Sequence, residues 1–236
     1  MTIPAINETP EYVTKIPSTG QEIKYRPFVM KEQKVLLIAL ESADTTQIIG
    51  AINNILSSCV SGLNIKSLTT FDLEYLFLQL RGKSVGENIN TELRCYKCKE
   101  FNKISFNIDD VKIDIDPKKI KQKIELNENY SVLLKYPSYD YVMKASNGIT
   151  TETEMLYVTV LGSLDKLFTK DEVIDLSIEP MEELETFLDS MNTKQFDAIA
   201  EKVGEIPKLK HTIEFDCEKC EHHNKIKLEG INDFFL

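Results

Sequence analysis

Arg94-Cys95-Tyr96-Lys97-Cys98-Lys99-Glu100-Phe101-Asn102-Lys103-Ile104 and Asp216-Cys217-Glu218-Lys219-Cys220-Glu221-His222-His223-Asn224-Lys225-Ile226 are the stretches on which the fold turns. Both read Cys-x-x-Cys-x-x-x-Asn-Lys-Ile, although more than a hundred residues separate them. Two Cys-x-x-Cys knuckles supply the four thiolates of a tetrahedral structural zinc site. Cys95, Cys98, Cys217 and Cys220 are therefore the candidate ligands of one Zn2+ ion, which would tie the middle of the sequence to residues 217–220. A catalytic zinc keeps one position open for water, whereas four thiolates close the shell, so the expected role is structural. Such a site stabilises through the coupling of metal binding to folding.

Three alternatives stand beside that reading. Four unrelated reduced cysteines would not explain the matching Asn-Lys-Ile extensions. A redox Cys-x-x-Cys normally opens a helix in a βαβ setting, and neither knuckle does. His222 or His223 can replace a thiolate, since mixed cysteine-histidine sites are common, but both also read as polar loop residues of a ribbon.

Outward from the knuckles the hydrophobic period is two. Thr91 to Arg94 leads into the first knuckle, and Ile104, Phe106 and Ile108 alternate on the way out. Residues 212–215 enter the second knuckle and 225–229 leave it, as in a zinc ribbon. Residues 123–126 and 132–136 flank the turn Asn127-Glu128-Asn129, and 12–16 and 22–26 flank Pro17-Ser18-Thr19-Gly20, giving two further hairpins. The lysines at 118, 119, 121 and 123 suit an exposed edge strand that discourages misplaced pairing. Short strands are also expected at 166–168 and 172–176.

Between these β regions the spacing turns to three and four. Residues 31–43, 45–60 and 70–81 predict three helices; Ile48, Ile49, Ile52, Ile55, Leu56 and Cys59 form one apolar face of the second. Asp44 or Thr45 caps that helix, Thr70 caps the third, and Gly82 is its expected stop. Cys59 reads as a buried core thiol. Helices follow at 138–146, 152–161, from the first turn at Pro180 to Met191, and from Asn192 or Thr193 to Val203.

The fold class is α+β: mainly helical segments with short antiparallel hairpins and a split four-cysteine zinc ribbon. Four stretches organise it. Residues 1–89 hold a hairpin and helices, 90–136 the first knuckle and a β region, 137–208 more helices, and 209–236 the second knuckle with an apolar tail. The two knuckle stretches are expected to pair within one compact unit.

Composition narrows the function. The 236 residues carry a formal net charge of −10, which repels phosphate and makes a general nucleic-acid binder a poor fit. No apolar run is long enough for a membrane span, and residues 1–10 lack the pattern of a signal peptide, so a reducing cytosol is expected. Phosphate-binding glycine loops, dinucleotide fingerprints and nucleophile elbows are missing from the sequence, and all three histidines (His211, His222, His223) lie at the second knuckle. No catalytic residue can be nominated, and a non-enzymatic protein is expected. Ile231, Phe234, Phe235 and Leu236 make the last segment apolar, suited to docking on the protein's own core or on a partner. Tyr136, Tyr139 and Tyr141 likewise suit a core edge or an interface.

Ser18-Thr19-Gly20-Gln21-Glu22-Ile23-Lys24-Tyr25-Arg26-Pro27-Phe28, with Lys31-Glu32-Gln33-Lys34-Val35-Leu36-Leu37, resembles the start of the T4-type phage baseplate hub family. The helices that follow, the knuckle Leu93-Arg94-Cys95-Tyr96-Lys97-Cys98 and the segment Asp233-Phe234-Phe235 fit the same pattern. The resemblance implies a protein of a contractile-tailed bacteriophage, made in the host bacterial cytoplasm. It implies a part in assembling the hub of the tail baseplate, either as a hub subunit of the virion or as an assembly chaperone. Phage baseplate hub or tail proteins would be its partners. The competing expectation is a zinc-ribbon regulator that binds nucleic acid, against which the acidic charge argues.

Overall fold

The computed structural model describes residues 10–42, 45–113, 115, 123–145, 148–149 and 151–230. They form a mixed α/β protein with seven α-helices and four small antiparallel sheets among the described residues. The chain divides into two compact units: Met1–Ile65, Phe71–Asp114 and Lys208–Leu236 make the first, Lys66–Thr70 and Ile115–Pro207 the second.

The first unit opens with a hairpin of β1 (Tyr12–Lys15) and β2 (Glu22–Tyr25), in register Tyr12↔Tyr25 to Lys15↔Glu22. Period two operates as the sequence predicts: Ile23 and Tyr25 are buried while Glu22 and Lys24 face solvent. The turn closes through the Gly20 N–H on the Ile16 carbonyl at 2.8 Å, with Gly20 in the left-handed region at φ 71°. Ser18 in this turn donates its N–H and its hydroxyl to Asp72, at 2.9 and 2.6 Å. Asp72 is fully buried, and a carboxylate taken out of water needs such donors.

Three helices follow: α1 (Met30–Ser42), α2 (Thr45–Cys59) and α3 (Thr70–Ser84). Helix α2 turns Ile48, Ile52, Ile55, Leu56 and Cys59 inward, the face its spacing predicts. Cys59 is a core thiol, and burial pushes its pKa up to about 11. Asp44, one cap candidate of α2, lies outside the described residues, as does the side chain of Thr45. Helix α3 buries residues on several faces, among them Phe71, Leu76, Phe77, Leu78 and Leu80. Gly82 does not end it. The helix runs on to Ser84, and a Cβ at position 82 would stand 3.0 Å from Ile108 Cδ1, so glycine here serves close packing.

Two knuckle hairpins complete this unit. β3 (Asn88–Arg94) pairs with β4 (Phe101–Asn107), and β10 (Leu209–Asp216) pairs with β11 (His223–Glu229) and, at its start, with β5 (Lys112–Ile113). Their inward residues Ile89, Phe106, Leu209, Ile213 and Leu228 form one buried cluster with Ile108 and Leu78 of α3.

The second unit is a four-stranded sheet in the order β6 (Lys123–Glu125), β7 (Ser131–Leu134), β8 (Leu164–Phe168), β9 (Val173–Asp175). Its helices are α4 (Tyr139–Ala145), α5 (Glu152–Ser163), α6 (Met181–Asp189) and α7 (Thr193–Gly204). Capping boxes, Thr151 with Glu154 and Asn192 with Gln195, open α5 and α7. Pro180 stands just ahead of α6 as its N-cap. Val132, Leu134, Val160, Leu164, Leu188 and Ile199 are core residues, and Tyr136 and Tyr141 pack at its edge.

Strands β6 and β7, adjacent in sequence to the first knuckle, belong to this second sheet. Asn127 closes their turn by accepting the N–H groups of Asn129 and Tyr130, but β7 also pairs with β8, a partner that no local signal announces. Lys123 begins the edge strand β6 and sits over the Phe168 ring at 3.6 Å. Lys118, Lys119 and Lys121 lie outside the described residues.

Candidate metal centre

Each knuckle grows from the end of an antiparallel pair. The ladder β3–β4 closes at Arg94↔Phe101, and β10–β11 closes at Asp216↔His223. A tight turn then bulges out from each. In the first, the Cys95 N–H reaches the Glu100 carbonyl at 2.8 Å and the Lys99 N–H reaches the Cys95 carbonyl at 3.0 Å. In the second, Cys217 N–H to His222 O is 3.0 Å and Glu221 N–H to Cys217 O is 2.9 Å. Lys99 and Glu221 occupy the same place in their turns, and both adopt positive φ, 63° and 54°. Non-glycine residues avoid that region at a cost of about 1–2 kcal/mol, so its recurrence marks one imposed turn geometry built twice.

The two turns bring their sulfurs together. Cys95 Sγ lies 3.7 Å from Cys220 Sγ, Cys98 Sγ lies 3.5 Å from Cys217 Sγ, and all four sulfurs are within 4.8 Å of one another. A tetrahedron with metal–sulfur bonds of about 2.3 Å has sulfur–sulfur edges of about 3.8 Å. Disulfides need about 2.05 Å, so these are four thiols in the arrangement a metal ion requires. Cys95 and Cys217 are buried, while Cys98 and Cys220 are half-buried.

Burial opposes ionisation of Cys95, yet the N–H groups of Cys98 and Lys97 hold its thiol down at about 6. Cys217 is lowered for the same kind of reason: burial works against it, and the N–H groups of Lys219 and Cys220 outweigh burial. Cys220 moves the other way. The His222 N–H favours its thiolate, but burial and the neighbouring sulfurs push it up to about 12. Four thiolates repel one another in so small a volume, and a divalent cation at their centre removes that repulsion.

Two asparagines tie the knuckles together. Asn224 Oδ1 accepts the Tyr96 N–H at 2.9 Å, and Asn102 Oδ1 accepts the Glu218 N–H at 3.0 Å. Each side chain also donates within its own knuckle, Asn102 Nδ2 to Glu100 O at 3.0 Å and Asn224 Nδ2 to His222 O at 2.7 Å. Both asparagines are buried, 2% and 1% exposed. Outside this pair, Lys219 Nζ meets Glu100 Oε2 at 2.6 Å on the surface. Sequence reasoning nominates neither the asparagines nor this ion pair. The repeated Asn of the two motifs is the visible signal, but spacing alone does not say that it reaches across to the other copy.

The histidines stand apart from the sulfurs. Among the described residues, the four cysteines form the one group with metal-ligand atoms in reach of a common ion. His222 contributes its carbonyl to the second knuckle turn, His223 Nδ1 pairs with Asp216 Oδ1 at 2.8 Å, and His211 stacks on Phe106 with ring centroids 4.7 Å apart. Ile231, Phe234, Phe235 and Leu236 lie outside the described residues. No helix among the described residues is long and apolar enough to cross a membrane.

Comparison with known proteins adds one result. Neither a curated protein nor a solved structure matches the chain. The family model described as T4 bacteriophage base plate protein matches residues 9–236, a span that takes in every described helix and strand and both knuckles. The chain therefore belongs to the T4 bacteriophage base plate protein family.

Proposed function

We propose that this protein acts without catalysis in assembly of the tail baseplate hub, as a hub subunit or as an assembly chaperone, by binding other hub or tail proteins. The family match over residues 9–236 carries the reading, since it makes other phage baseplate proteins the natural partners. Cys95, Cys98, Cys217 and Cys220 hold a structural Zn2+ ion. Supporting that choice are an all-sulfur donor set and sulfur–sulfur distances near the tetrahedral edge. The ion would supply charge compensation and a cross-link, with no open coordination position for a substrate. Ile231, Phe234, Phe235 and Leu236 serve as a partner-docking segment, which rests on their apolar character alone.

The test is a pull-down of phage tail proteins from infected cells, with the full chain and with residues 231–236 removed. Capture of hub proteins by the full chain, lost on truncation, is expected. Equal capture by both would sink the docking role of the segment. A tight, salt-sensitive gel shift with DNA or RNA, in place of protein capture, would overturn the reading as a whole. Mass spectrometry of purified virions then separates subunit from chaperone, because only a subunit remains in the tail.

A further inference from the structure

The reciprocal asparagine contacts are the feature that the proposed function leaves unused. An offset of one knuckle onto the other superimposes their chemistry: Cys95 on Cys217, Tyr96 on Glu218, Glu100 on His222, Asn102 on Asn224. Within each copy the asparagine Nδ2 and the first cysteine's N–H converge on the same carbonyl, Glu100 O or His222 O. That convergence fixes the amide plane, leaving Oδ1 directed at the opposite copy. There it receives the N–H of the residue directly after the first cysteine, Tyr96 or Glu218.

We infer that Asn102 and Asn224 are positioning residues for the four-cysteine centre, each fixing the cysteine turn of the knuckle to which it does not belong. The N–H they engage is the first inside the Cys-x-x-Cys loop, and the next one, Lys97 N–H, points at Cys95 Sγ at 3.4 Å. Fixing the first amide therefore sets the direction from which the loop's later amides approach the sulfur. Both asparagine side chains are buried, and a buried amide oxygen needs a donor, which the opposite knuckle's N–H supplies. The bonds run between segments far apart in sequence, so they dock the knuckles as well as shaping them. They add to the buried cluster that the two hairpins share and set how closely Cys95–Cys98 faces Cys217–Cys220.

This inference rests on the four cysteines binding a metal, and its test separates the two ideas. Wild type, Asn102→Ala and Asn224→Ala are loaded with Zn2+ and titrated with a chromophoric chelator, and the same proteins are loaded with Co2+ for visible spectroscopy. Loss of an outer-shell partner typically weakens metal affinity about 10–100-fold, the change expected for each variant. The Co2+ spectrum should keep its tetrahedral four-thiolate form, because all ligands remain. Amide hydrogen exchange gives the crossed signature: Asn102→Ala exposes the Glu218 N–H and spares Tyr96, and Asn224→Ala does the reverse. A purely local structural role would loosen only the variant's own knuckle. Metal uptake by wild type with unchanged affinity in both variants overturns the latch alone. No uptake by wild type overturns the metal site itself. Should a variant fail to fold, wild type decides: slow exchange at both Tyr96 and Glu218 in the loaded protein supports the latch, and fast exchange at either refutes it.

Discussion

Replacing Cys98 with serine removes one thiolate from a cluster that joins positions 119 residues apart. The stabilisation at stake follows from the loop that a bound metal would close. A cross-link closing a loop of roughly 100 residues stabilises by about 4.7 kcal/mol through the entropy of the unfolded chain. That figure is a ceiling here, because the second unit lies within the loop and, while folded, shortens its flexible length. At about 2–4 °C per kcal/mol for a protein of this size, full loss of the clip lowers the melting temperature by at most about 10–20 °C. All four cysteines lie in the first unit, so the loss should be confined to it. Calorimetry of zinc-loaded wild type and Cys98→Ser is the assay. The expected result is a first-unit transition that falls in the variant while the second-unit transition stays, and a chelator should bring wild type down to the variant. Superimposable traces, or equal movement of both transitions, would refute the reasoning.

Three further outcomes are expected. Cys59, held at about 11 by burial against an ordinary 9.0, favours the folded state in its neutral form, so its contribution is whole below pH 9 and fades as pH rises through 11. About 2–3 kcal/mol should vanish over that window, and Cys59→Ala should flatten the alkaline limb of urea-denaturation midpoints against pH. Asp72→Ala leaves both Ser18 donors without their acceptor and should cost about 1–3 kcal/mol in the same assay, while Ser18→Ala, which removes only the hydroxyl bond, should cost less. A Cβ on Gly162 overlaps the Tyr141 ring, so Gly162→Ala should destabilise the second unit by about 1–3 kcal/mol, visible as a fall in its transition alone.

Much of the centre is legible because its information is local. The Cys-x-x-Cys spacing, the alternating residues on either side and the repeated Asn-Lys-Ile specify a turn on a hairpin, and two such turns require each other to complete a shell. The helix face of α2 is equally plain, since Ile48, Ile52, Ile55 and Leu56 need only their own spacing to declare it. What escapes depends on a second segment. Glu32 reads as a polar first-turn residue of α1, yet it is buried against the Arg26 guanidinium at 2.9 Å and the Val29 N–H. Gly82 looks like a helix stop until Ile108 is placed beside it. The β6–β7 hairpin is visible from its turn, but its membership of a sheet with β8 is decided by side chains some thirty residues later. The asparagine latch combines both cases, with a local signature and a distant target.

Zinc content of the purified, reduced protein addresses the central claim most directly. Elemental analysis alongside a thiol count should return about one zinc per chain with no thiol of Cys95, Cys98, Cys217 or Cys220 lost to oxidation. Zinc near zero in folded protein whose thiols are all reduced would contradict the account.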